Sequence, residues 1–93
     1  MKSTHVPGTN RGKVFMFAIS TCVWCRKTKR LLKALGVAHE FIDVDLLEGE
    51  EKARAVAELR RWNPRASYPT LVIDEKICIR GYDERRIREE LES

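Results

Sequence analysis

Hydrophobic positions along the chain come in blocks with two different periods. Residues 1–12, with Ser3, Thr4, Pro7, Gly8, Thr9, Asn10 and Gly12, offer almost nothing to bury and read as a flexible N-terminal arm. At Lys13 the character changes. Val14-Phe15-Met16-Phe17-Ala18-Ile19 is a short unbroken apolar run. Its length and its aromatic and β-branched content predict a strand covered on both faces. Beyond Ser20-Thr21 the period lengthens: Cys25, Thr28, Leu32 and Leu35 share one helical face, with Lys27, Lys29, Arg30 and Lys33 around the rest. Gly36 stands where such a helix is capped.

A second strand is predicted within 39–45, around Phe41-Ile42-Asp43-Val44. A second helix follows over 50–62, acidic at its start as the helix dipole favours, with Ala53, Val56, Leu59 and Trp62 along one side. Asn63-Pro64 ends it. Residues 70–73 and 76–80, joined by Asp74-Glu75, predict an antiparallel hairpin, although Asp-Glu is a weaker turn signal than Asp-Gly. Gly81 breaks the second of these strands, and Asp83 is placed to cap a last helix that carries Ile87 and Leu91. The order β-α-β-α-β-β-α predicts an α/β fold. Its first three elements form a βαβ unit with parallel strands, and the whole is a four-stranded mixed sheet with helices on both faces. Residues 13–93 form this single domain.

Composition narrows the function. A length of 93 residues with 43% hydrophobic content allows one packed domain without metal or structural disulfides. The formal charge of +4 is too mild and dispersed to point to nucleic acid. The basic residues cluster once, at Arg26, Lys27, Lys29 and Arg30; such a run is either a solvated helix face or an attraction for an acidic partner. No apolar stretch is long enough to cross a bilayer, and positions 1–12 do not have the form of a signal peptide. Three cysteines, an odd number, do not make a secreted disulfide framework. The expectation is a cytoplasmic monomer.

Cys22-Val23-Trp24-Cys25 falls where the first strand gives way to the first helix. Unpaired N–H groups and the positive end of the dipole favour a thiolate there. Cys22, at the very start, is the expected nucleophile, and Cys25, one turn along, is in reach to resolve a mixed disulfide. Two other readings stand beside this one: a pair of core cysteines, or half of a zinc site. A structural zinc site needs four ligands, and Cys78, His5 and His39 are not spaced to supply them, so no metal is expected. Cys78, between isoleucines, reads as a buried strand residue or an accessory redox site. His39 reads as a surface residue at a strand start, and His5 belongs to the arm.

Three segments in order resemble the glutaredoxin branch of the thioredoxin superfamily, over roughly residues 13–92. Ser20-Thr21-Cys22-Val23-Trp24-Cys25-Arg26-Lys27 is similar to the family's active-site segment. Ser67-Tyr68-Pro69-Thr70 is similar to its proline loop, and Arg80-Gly81-Tyr82-Asp83-Glu84 to the turn before its last helix. The resemblance implies a thioredoxin fold and thiol–disulfide exchange at Cys22 and Cys25, with no tightly bound cofactor. It implies a cis bond before Pro69, although most X–Pro bonds are trans. It also implies that Tyr68 offers its backbone N–H and C=O to a substrate in a short β-bridge. Thr21, Val23, Trp24, Arg65, Tyr68, Pro69, Gly81, Tyr82 and Asp83 are the substrate-binding residues implied. Arg65 would pair with a carboxylate and Asp83 with an ammonium if glutathione is the co-substrate.

The chain departs from the family pattern at three places. Val23 replaces the common proline, Ile19 stands where a lysine commonly binds the glycine carboxylate of glutathione, and Arg80-Gly81 replaces paired glycines. The single-glycine turn Gly81-Tyr82 is also similar to redoxins that take electrons directly from a reductase. Expected partners are therefore disulfide-containing proteins and an electron donor, either glutathione or a thioredoxin-type or ferredoxin-linked reductase. Two further roles are compatible with the same residues: a carrier sharing an iron–sulfur cluster between two chains through Cys22, and an adaptor that uses the fold only to dock.

Overall fold

A computed structural model describes residues 3–92. In chain order it contains β1 (Thr4–Val6), β2 (Val14–Ala18), α1 (Val23–Ala34), β3 (His39–Asp43), a 3-10 turn (Val44–Leu46), α2 (Gly49–Trp62), β4 (Thr70–Ile73), β5 (Ile77–Arg80) and α3 (Glu84–Leu91). The sheet order is β1-β3-β2-β4-β5. β2 and β3 run parallel, as the βαβ unit requires, and the other neighbours are antiparallel.

The apolar run of β2 divides by parity, and that division sorts the helices. Val14, Met16 and Ala18 join Leu71, Ile73 and Ile79 in a core closed by Leu31 and Leu32 of α1 and by Ile87 and Leu91 of α3. Phe17 faces the other way, with Ile42, Val44 and Val72, against Ala55 and Leu59 of α2. α1 ends as expected: Leu35 is its C-cap and Gly36 follows with φ 68°. Gly36 N–H donates to Lys33 C=O at 3.0 Å and Val37 N–H to Leu32 C=O at 3.2 Å. This paired closure takes up carbonyls that the helix end leaves open.

Four expectations need correction. The sheet has five strands rather than four, because Thr4–Val6 pairs with β3 in the register Thr4↔Phe41, His5↔Glu40, Val6↔His39. The loose arm expected over 1–12 is, from residue 4, tied to the domain (residues 1 and 2 lie outside the described region). Thr9 N–H donates to Gly36 C=O at 2.7 Å, and Ala38 N–H donates back to Thr9 C=O at 2.9 Å. Gly8 permits this approach, since a Cβ there would stand 2.6 Å from Gly36 O. On α2, Ala53 is exposed and Ala55 is buried. A strict every-third-residue stripe turns by about 60° per step around an α-helix, so its far end leaves the sheet. Finally, His39 is buried at 3% exposure, with Nδ1 2.7 Å from Val37 O, because β1 covers the edge it was expected to line.

The hairpin turn is built despite its weak signal. Asp74 and Glu75 both adopt φ 54°. Lys13 holds them from the adjoining segment: its N–H donates to Asp74 Oδ1 at 2.7 Å and its Nζ to Glu75 Oε1 at 2.6 Å.

Candidate active site

β2 ends at Ala18 and α1 begins at Val23, so four residues make the corner that carries the cysteine pair. Ser20 is held there by Asp45, which follows β3 and accepts from both the Ser20 N–H and its hydroxyl. Those bonds hold the Asp45 carboxyl below its usual range. Cys22 N–H donates to Ile19 C=O at 3.3 Å, closing the turn. Cys22 is then the N-cap of α1: its sulfur accepts from Cys25 N–H at 3.2 Å, and its C=O accepts from Arg26 N–H at 3.1 Å. Helices are ordinarily capped by oxygen from Ser, Thr, Asp or Asn. A sulfur in that role receives the helix's open donors, and it serves best as a thiolate.

The two thiols are driven apart. At Cys22, partial burial opposes ionisation, but hydrogen bonds from the Cys25 thiol and from the N–H groups of Cys25 and Trp24, with the charge of Arg26, outweigh it and lower the pKa. At Cys25, complete burial comes first and its hydrogen bond to Cys22 second, and the thiol is pushed up to about 12. One anionic sulfur and one protonated sulfur therefore face each other across a turn of helix, with Cys22 half-buried and Cys25 enclosed.

A second segment approaches from the end of α2. Asn63 is buried at 1% exposure and ties the loop together. Its amide donates to Ser67 Oγ at 2.8 Å and to Thr70 Oγ1 at 3.1 Å, and its Oδ1 accepts from Arg65 N–H at 3.2 Å. Thr70 in turn donates to Ser67 C=O at 2.8 Å. This loop carries the Tyr68–Pro69 bond in the cis form, and Pro69 C=O accepts from Gly81 N–H at 2.8 Å. Tyr68 packs against the core cluster that contains Cys25. Burial first, then the neighbouring Asp45 and Cys25, raises its phenol pKa. Among the described residues, the Tyr68 N–H and C=O make no internal backbone bond.

The turn before α3 completes the surroundings. Tyr82 stacks on Trp24 with ring centroids 5.8 Å apart and planes at 24°, and Lys27 Nζ lies 4.7 Å from the Trp24 ring centre. Tyr82 donates its hydroxyl to Glu84 at 3.0 Å. Trp24 and Val23 stay open, at 53% and 58% exposure, and Thr21 is exposed in the corner. Arg65 and Gly81 line a cleft of about 470 Å³ together with Asn63, Ser67 and Arg80. The Asp83 carboxylate is engaged as the cap of α3, accepting from Arg86 N–H at 3.0 Å. Cys78 lies apart on β5, with its thiol 3.4 Å from Trp62 C=O. Sequence reasoning passed over Asp45 and Asn63, which hold the two loops. An Asn just before a loop Pro is itself a signal for side-chain bonding to nearby backbone.

Over residues 14–78 the chain matches the glutaredoxin family. Its fold is similar to that of the glutaredoxin of Methanosarcina mazei Go1, with TM-score 0.90 and 49% identity over 100% of this chain and 90% of the other. Methanoredoxin of Methanosarcina acetivorans gives TM-score 0.89 and 49% identity over 92% and 90%. The uncharacterized glutaredoxin-like 8.6 kDa protein of the rubredoxin operon of Clostridium pasteurianum is 28% identical over 72 residues, 77% of this chain and 88% of its own length.

Proposed function

The chain belongs to the glutaredoxin family, and from that premise we propose that it is a dithiol thiol–disulfide oxidoreductase acting on disulfide-bearing proteins. The observation that carries this reading is the Cys22 sulfur capping α1 and accepting the Cys25 N–H, with the Cys25 side chain fully buried one turn along.

In the first step the Cys22 thiolate attacks one sulfur of the substrate disulfide, forming a mixed disulfide and expelling the other sulfur as thiolate. The Tyr68 N–H and C=O, beside Pro69, are free to pair with the substrate backbone and align its sulfur. Thr21, Val23, Trp24, Gly81 and Tyr82 supply the surrounding contact. Cys22 then carries no charge. The hydrogen bond and repulsion from Cys22 that add to burial in keeping Cys25 protonated are gone, which eases the loss of its proton to the expelled thiolate. Cys25 attacks the Cys22 sulfur, closes an internal disulfide and releases the second substrate thiol. Two electrons leave the protein and two thiols are made. The resolving thiol is thus held inactive until the step that needs it.

Two electron donors fit this cycle. Glutathione would place its carboxylate by Arg65 and its ammonium by Asp83, but the engaged Asp83 and the apolar Ile19 weaken that site, which favours a reductase. The test has two parts. Cys25→Ser is expected to accumulate mixed disulfides detectable by mass, and Cys22→Ser to lose at least about a thousandfold in exchange rate. Equal residual turnover in the two variants contradicts the assigned order. Reduction of the internal disulfide by glutathione with its reductase, or by a thioredoxin-type or ferredoxin-linked reductase, identifies the donor.

A further inference from the structure

The basic run on α1 is not explained by the thiolate. Five Lys and Arg side chains and no Asp or Glu stand on this helix, while the rest of the chain is near charge balance. Helices α2 and α3 answer four of their seven cations with their own acids, in the pairs Glu50–Arg54, Glu58–Arg61, Glu84–Arg88 and Arg85–Glu89, and every cation there stands among acids of the same helix. On α1 only Lys29 is paired, to Asp43 at 3.0 Å. Among the described residues Arg26, Lys27, Arg30 and Lys33 have no acidic partner. Like charges three and four apart cost a helix a few tenths of a kcal/mol each, and cations near its start oppose the dipole. Arg26 acts on Cys22, Lys27 lies over the Trp24 ring, and Lys33 in the last turn suits the helix dipole, but no acid answers Lys27 or Arg30.

Lys27 and Arg30 border a groove. Between α1 and α3 lies an open cleft of about 330 Å³ lined by Lys27, Arg30, Leu31 and Ala34 of α1, by Tyr82, and by Glu84 and Arg88 of α3. Glu84 is paired to Arg88, so the unanswered charges there, Lys27 and Arg30, are both positive. Its mouth is the Trp24–Tyr82 stack, two residues from Cys22. From position 24 to 34 a helix advances about 15 Å, the reach of about five extended residues.

We infer that this groove docks an acidic segment of about five residues, adjoining the exchanging cysteine of a protein substrate. The inference rests on the dithiol reading above. A polypeptide fits better than a nucleic acid on two counts. The mouth adjoins a sulfur whose proposed partner is another sulfur, and the Trp24 ring has Tyr82 stacked on it and Lys27 over it, leaving poor footing for a base.

The test is single-turnover exchange between pre-reduced protein and peptides whose one cysteine is joined to a coloured aromatic thiol. Three peptides carry five flanking Glu, Gln or Lys residues. At low ionic strength the Glu peptide is expected to react at least about tenfold faster than the Gln peptide, and the Lys peptide slower. The gap closes near 1 M salt, where charges are screened within about 3 Å. Lys27→Glu with Arg30→Glu is expected to abolish or invert the Glu preference. Lys27→Gln with Arg30→Gln reduces it, and serves if the reversal fails to fold by circular dichroism. Arg54→Glu with Lys76→Glu, an equal charge change elsewhere, keeps it. Equal rates for Glu and Gln peptides, or equal loss in both reversal variants, overturn the inference and leave the dithiol reading standing. Exchange with none of the peptides overturns both. Tighter binding of a single-stranded oligonucleotide than of the Glu peptide to Cys22→Ser protein, at matched salt, assigns the surface to nucleic acid instead.

Discussion

A sulfur used as a helix cap makes one residue both a structural and a chemical part. Cys22 accepts the N–H that a serine would accept in another helix, and the same bond lowers its pKa. The reactive form is the thiolate, so alkylation rate rises with pH through the folded pKa. With that pKa lowered, the rise is expected to centre below the ordinary thiol value. Cys25→Ala removes the thiol donor and is expected to move the midpoint upward, since a hydrogen bond to the thiolate favours the charged form. Iodoacetamide rates measured against pH in wild type and variant give both values, and an unmoved midpoint shows that the Cys25 thiol does not stabilise its neighbour. Cys25 itself, at about 12, stays protonated throughout the same pH range.

Among the elements, β1 is the one that sequence reasoning did not see. Thr4–Val6 is three residues with only Val6 half-buried, and its neighbours Pro7 and Gly8 read as loop. What makes it a strand is tertiary: β3 has an open edge, and the segment 36–38 accepts the chain beside it. Gly8→Ala sets a methyl against the backbone of 36–38. It is expected to lower stability by about 1–3 kcal/mol, read as a shift of the urea midpoint, with Cys22 alkylation unaltered. A midpoint equal to wild type means the segment yields freely. The longer elements were legible because their apolar residues follow one period: β2, α1, the β4–β5 hairpin and α3 lie where the pattern puts them. In the candidate site, the Cys22–Cys25 pair is read from its local spacing, whereas Tyr68 and Pro69 are singled out only by the family resemblance. Asp45 and the clamp of Lys13 on Asp74 and Glu75 act between segments far apart in sequence, and no local pattern announces such bonds. Asn63 bonds within residues 63–70, where the Asn-Pro pair is the local signal.

For the molecule as a whole, two cores share one sheet: β2 sends Met16 into one and Phe17 into the other. Neither can melt while the other persists, so unfolding is expected to be a single transition. Leu32→Ala on the α1 side and Leu59→Ala on the α2 side are each expected to cost about 2–5 kcal/mol, a large part of the about 5–15 kcal/mol of a whole domain. Far-ultraviolet dichroism and tryptophan emission should report the same midpoint in both, with Trp62 against one core and Trp24 beside the other. Separate midpoints refute the shared sheet as one cooperative unit. The active corner is also assembled from distant stretches of chain, from Ser20 through Asp45 and Asn63 to Tyr82. During synthesis on the ribosome, then, a growing polypeptide that has emerged only as far as α2 holds both sulfurs without the aromatic lid or the proline loop around them. The surroundings that the proposed exchange relies on are therefore complete only once the last helix has docked.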